Sequence, residues 1–158
     1  MQNKHSSSGI AEDLIRSFVQ VASAELHVKT ILEKRISELE NGMYEEDDLN
    51  LLLEEISTQK EQLIELAEIR RSQMLTLYEM YDSKGNKEQW CMVKHLGMAM
   101  YTAFECWQAS DDDSELFSQY LRINKMFIKC ITKFLGVEIT SCASCLSDIL
   151  KAKENQNG

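Results

Sequence analysis

The chain runs for 158 residues without a single proline. Proline fixes φ and removes an amide donor, so it collects at turns, strand edges and helix starts. A chain of this length that lacks it is expected to form a few long helices joined by short turns. Only six glycines are present to interrupt them. The length suits one domain with a substantial core.

Apolar spacing fills in this outline. From about Gly9 to Asn41, Leu14, Phe18, Val21, Val28, Leu32 and Leu39 recur at three- and four-residue intervals, interrupted at Glu25 and Arg35. Asn41-Gly42 is expected to end this helix with a left-handed C-cap. The acidic run "EEDD" then opens a second helix, where carboxylates suit the positive end of the macrodipole. This helix follows Leu49, Leu52, Ile56, Leu63, Leu66, Leu77 and Met80 to about Asp82. Two such helices make a hairpin roughly 50 Å long at 1.5 Å per residue.

"DSKGN" reads as a turn, with Asn86 and Gln89 as a capping box for a third helix. Between Trp90 and Trp107 only Lys94, His95, Thr102 and Glu105 are clearly polar. Such a helix is expected to be covered on nearly all sides, or to carry a face for a partner. Gly97, Ala99 and Ala103 would admit a neighbouring backbone. Asp112 and Glu115 form a second capping box, before a fourth helix from Ser114 to Leu135 closed by Gly136. Its apolar side carries Leu116, Phe117, Tyr120, Leu121, Phe127, Ile128, Ile131 and Phe134. Arg122, Lys125, Lys129 and Lys133 line the other side, suited to solvation or to packing beside the acidic hairpin. A short helix follows a Ser141 cap to about Lys153. Residues 1–8 and 154–158 are polar and expected to be mobile. The expected fold is all-α: one bundle domain over residues 9–153, built of a long antiparallel hairpin, two shorter helices and a short C-terminal helix.

Charge narrows the function. Residues 1–83 carry 17 acidic and 8 basic side chains, whereas residues 84–158 balance 9 against 9. An acidic first half argues against nucleic acid and anionic membrane surfaces as partners. The N-terminal "MQNKHSSSGIAEDL" lacks the apolar stretch of a signal peptide, and no apolar run approaches the ~20 residues of a membrane span. Five scattered cysteines do not read as a disulfide framework. A cytoplasmic protein is expected.

Few residues look like a chemical site. Cys142 and Cys145 form a C-x-x-C and share a helix face, half of a tetrahedral zinc site that Cys91 and His95, or Cys106 or Cys130, would have to complete. No second close-spaced pair exists, and cysteine is a common small buried residue, so packing of the terminal helix is the favoured reading. A thioredoxin-like reading lacks the strands it needs. None of His5, His27 and His95 follows a glutamate by three, against a di-iron carboxylate site. Cys91 lies one helical turn from His95, but no acid is spaced to orient that histidine. No glycine-rich phosphate loop is present. Neither enzymatic activity nor a cofactor is expected.

The aromatics say more. Trp90, Tyr101, Phe104 and Trp107 share the third helix with Met92, Met98 and Met100. Such a set makes either core or a methionine- and aromatic-rich groove for a partner helix. The candidate partner-binding residues are therefore Trp90, Met98, Tyr101, Phe104 and Trp107, with Leu146, Ile149 and Leu150 on the terminal helix. A charged residue at Trp107 or Leu146 would then abolish partner binding and leave helicity intact.

Two stretches carry a resemblance. "LLLEEISTQKEQLIELAEIRR", through Leu52, Lys60, Leu63, Leu66 and Arg70, resembles the second hairpin helix of the FlgN family of flagellar export chaperones. "FSQYLRINKMFIKCITKFLG", with Asn124 amid apolar positions, is similar to that family's next long helix. The resemblance covers about residues 14–135. It implies an acidic, cytosolic helical chaperone that keeps the amphipathic ends of an exported subunit soluble, with the client held by a C-terminal region equivalent to about residues 137–153. The alternative expectation is a self-associating structural or adaptor protein, a homodimer through the third helix or the hairpin. A metal-binding bundle built on the cysteines is a minor one.

Overall fold

The computed structural model describes residues 2–82, 87–111 and 113–157. Five helices follow in order: α1 (Gln2–Asn41), α2 (Glu46–Tyr81), α3 (Lys87–Gln108), α4 (Ser114–Leu135) and α5 (Ala143–Asn157). No strand occurs among the described residues, so the protein is an all-α bundle. α1 packs along α2 and α3 along α4, giving two antiparallel hairpins, while α5 lies against α1. Among the described residues no helix is long and apolar enough to cross a membrane.

The hairpins join through aromatic clusters at the two ends of α3. At one end Trp90 meets Tyr78 and Tyr81 of α2 and Phe134 of α4, at centroid distances of 5.7, 5.2 and 5.0 Å. Its indole Nε1 donates to Asp82 Oδ1 at 2.8 Å, and Lys94 Nζ lies 3.0 Å from the same oxygen. These two donors hold the Asp82 carboxyl below its usual range. At the other end Trp107 stacks on Phe117 at 4.6 Å, with Phe104 and Tyr120 beside it and Lys60 of α2 over its ring at 4.9 Å. Between the ends, Gly97 lets α3 lie close to its neighbours. A Cβ there would sit 2.7 Å from the Tyr78 hydroxyl and 3.3 Å from the Phe127 ring.

The helix ends differ from expectation in particular ways. α1 begins at Gln2 rather than near Gly9, and α5 runs to Asn157 rather than stopping near Lys153. Gly42 is not left-handed; among the described glycines only Gly136 has positive φ, at 68°. α1 closes instead with Gly42 N–H donating to Glu38 O, while the Tyr44 hydroxyl donates to that same carbonyl at 2.8 Å. The Tyr44 ring folds so close over Gly42 that a Cβ would meet it at 2.5 Å, which explains the glycine without invoking its φ. α4 is capped by Asp113, whose carboxylate accepts Leu116 N–H at 3.0 Å. Asp112, offered for that cap, lies outside the described residues, as do Asn86 and most of the "DSKGN" turn. Gly136 closes α4 as expected, in the left-handed conformation that favours glycine.

Candidate functional site

The interruptions noted in the apolar pattern of α1 turn out to be ion pairs to α2. Arg35 reaches Glu55 at 2.8 Å near the surface, with Glu38 at 3.0 Å. Glu25 is fully buried, and its Oε2 lies 2.8 Å from Arg70 Nη1 and 3.3 Å from Lys29 Nζ. Arg70 Nη1 also donates to Asn124 Oδ1 of α4 at 3.2 Å. All four side chains are buried, so the bundle encloses two cations, one carboxylate and one amide. Aromatic faces complete the surroundings: Lys29 lies 5.0 Å from the Tyr120 ring, and Arg70 lies 5.6 and 5.9 Å from Tyr101 and Phe127.

Burial pulls the Lys29 ammonium down from 10.5 to about 7; Glu25 opposes that fall and Arg70 adds to it. Burial alone would lower Arg70 as well, but the Glu25 carboxylate, helped by Tyr120 and Tyr101, more than offsets it and holds the guanidinium above its usual range. Burial also pushes the Tyr101 hydroxyl up to about 12. A cleft of about 400 Å³ opens between α1 and α4, with Lys29 and Asn124 on its walls and Arg122, Lys125 and Glu33 around it. The buried cluster therefore borders solvent on that side. Its contacts tie α1, α2 and α4 together at one level of the bundle.

The structure separates the residues expected to bind a partner. Trp90, Phe104 and Trp107 belong to the core, and Trp107 is 0 % exposed. They cannot line a partner groove without opening the bundle, which corrects that assignment. Tyr101 is half-buried between Arg70 and Arg71. Leu146 and Ile149 pack partly buried against the core, and Leu150 lines a cleft with Thr58, Glu61 and Glu65 of α2. Lys153 ties α5 to α2 through Glu65 at 3.0 Å. Met98 alone of the set is mostly exposed.

α3 is also not covered on all sides. Cys91, Met92, His95, Met98, Thr102, Glu105 and Cys106 form a solvent face. One edge of that face, to which the sequence points only through Met92, Ala99 and Ala103, has a counterpart on α4. Met92, Leu96, Ala99 and Ala103 fall in one row, spaced i, i+4, i+7, i+11. Gln119, Ile123, Met126 and Cys130 repeat the same spacing on α4. The antiparallel register that brings Phe104 to Tyr120 and Trp90 to Phe134 sets the two rows side by side on the outside of the α3–α4 pair. Met92 and Met126 are each more than half exposed there, and Lys129 and Lys133 stand exposed on α4 beyond them. The signal for this seam is present in the sequence, as the small residues Ala99 and Ala103, but the large aromatics draw attention to the opposite face.

Cys142 rather than Ser141 stands at the N-terminus of α5. Its sulfur accepts Cys145 N–H at 3.2 Å, and its own N–H donates to Ser23 O of α1 at 3.2 Å. Cys145 packs partly buried against the core. Cys91 and His95 are exposed on α3, whose main packing partner is α4, whereas α5 docks on α1. The structure therefore does not bring together the four residues considered for zinc. Among the described residues no group of three or more His, Cys, Asp or Glu side chains converges as a metal site. Comparison with models of known families, with curated proteins and with solved structures found no match for this chain.

Proposed function

We propose that this protein is a non-enzymatic cytosolic binding protein of the export-chaperone kind, holding an amphipathic helix of a client in the outer α3–α4 seam. The observation that carries the reading is that two exposed methionines, Met92 and Met126, stand one on each row of this seam, with the small residues Ala99 and Ala103 along the α3 row. Methionine adapts to varied side-chain shapes, and alanines let a partner backbone come close. The exposed Arg122, Lys125, Lys129 and Lys133 make the α4 flank basic, so the fitting occupant is a helix with an acidic edge. The two stretches that resemble the flagellar chaperones also meet inside the bundle. Arg70 and Asn124, one from each stretch that carries the resemblance, are hydrogen-bonded to each other.

Changing Met92 and Met126 together to glutamate tests this. Both lie on the surface, so the fold should survive with a stability change within about 0.5 kcal/mol per site. Capture from the source cytosol, read by mass spectrometry, should recover an exported helical subunit with the native protein and at least about tenfold less with the variant. Equal recovery would remove the seam from consideration. A concentration-independent dimer by light scattering, lost in the variant, would instead give the seam to a second copy.

A further inference from the structure

The C-x-x-C pair is arranged for more than packing. Cys142 sits at the N-terminus of a 15-residue helix, where free backbone N–H groups and the macrodipole favour an anion. Its sulfur accepts one of those amides, from Cys145, and lies 3.3 Å from the Ser144 hydroxyl. Cys145, three residues on, stands on the same side of the first turn. A separation of i to i+3 in a helix gives a Cα distance of about 5–6 Å, inside the range a disulfide spans. Both residues are partly exposed to solvent. The two thiols are also unlike. Contact with Cys145, Ser144 and the amide lowers Cys142, while Cys142 and burial push Cys145 up to about 11. Cys91 and Cys106, by contrast, are exposed on α3 with no cysteine one turn away.

We propose that Cys142 and Cys145 form a thiol–disulfide exchange site for low-molecular-weight disulfides, Cys142 attacking and Cys145 resolving. The Cys142 thiolate attacks one sulfur of the small disulfide, whose S–S bond breaks. One thiolate leaves and takes up a proton equal to the one Cys142 released. Cys145 then loses its proton and attacks the Cys142 sulfur, expelling the second small thiol. Two protein thiols are oxidised to one disulfide, and one small disulfide is reduced to two thiols. Closure occurs where α5 joins α1, at the residue whose N–H holds Ser23 O.

The test treats the reduced full-length chain with glutathione disulfide near neutral pH, quenches with acid and alkylator, and maps the cysteines by mass spectrometry. An internal Cys142–Cys145 disulfide should form, while Cys91 and Cys106 acquire at most a glutathione adduct. Cys145→Ser should trap the adduct on Cys142, and Cys142→Ser should slow modification of Cys145 by about tenfold or more. Mapping the unsubstituted chain needs no variant to fold. Modification of Cys142 no faster than Cys91, or adducts on both cysteines without an internal disulfide, would overturn the proposal.

Discussion

Replacing Glu25 by glutamine should destabilise the protein by about 3–5 kcal/mol. The substitution keeps size and shape but removes the carboxylate that contacts both Lys29 and Arg70, which are 3 % and 0 % exposed. Without that counter-charge Lys29, already pulled down to about 7, would give up its proton, and Arg70 would be left as a buried cation with no carboxylate. A loss of this size is a large part of the ~5–15 kcal/mol that holds a typical domain together. Chemical denaturation followed by circular dichroism is the measurement. A shift under about 1 kcal/mol would mean that water, entering along the α1–α4 cleft, screens the pair.

Lys29→Met supplies the contrast within the same cluster. It leaves Glu25 with Arg70 as a neutral pair, so it should be neutral or stabilising, by up to about 4 kcal/mol. The gain should depend on pH. Lys29 titrates at about 7 in the folded protein and near 10.5 when unfolded. Below about 7 both states hold the proton, and the folded state bears the full cost of burying it. Between the two values the unfolded chain binds more protons, so the native protein gains stability as pH rises. The advantage of the methionine variant should therefore shrink as pH rises from about 7 towards 10.5. A constant difference would show that Lys29 keeps its charge throughout.

This cluster also marks the limit of what a sequence conveys one helix at a time. Helices α2 and α4 are legible nearly to the residue, because apolar spacing, the acidic start of α2 and the glycine end of α4 act locally. Each of these signals lies within one turn of the boundary it sets, so neighbouring sequence suffices to place it. The ionic core needs long-range matching instead. Glu25 falls among Val21, Val28 and Leu32, Arg70 among Leu66, Met74 and Leu77, and Asn124 among Tyr120, Phe127 and Ile131. Each is the polar member of an otherwise apolar row, and opposite charges on two such rows are a pairing signal. Within its own helix, Glu25 looks like an interruption. The cap of α5 escapes for a related reason: Cys142 reads as a ligand or core residue, and Ser141 beside it is the commoner capping type.

Trp107→Ala should cost about 3–5 kcal/mol and reduce helicity, rather than remove partner binding from a folded protein. The side chain is fully buried, stacked on Phe117 at 4.6 Å and close to Phe104 and Tyr120. It is also the ring over which Lys60 reaches from α2, so its loss opens the join between the two hairpins at that end. A positively charged residue at this position should be worse, since it would be buried among aromatic rings beside the Lys60 ammonium. Met98→Ala, on the same helix but 65 % exposed, should change stability by less than about 0.5 kcal/mol. The pair of variants separates the two readings of α3 by denaturation alone. If Trp107→Ala keeps the native midpoint, the aromatic cluster is not a core and the partner groove belongs on that face after all. If it unfolds while Met98→Ala does not, the tryptophans hold the hairpins together and binding is left to the outer seam.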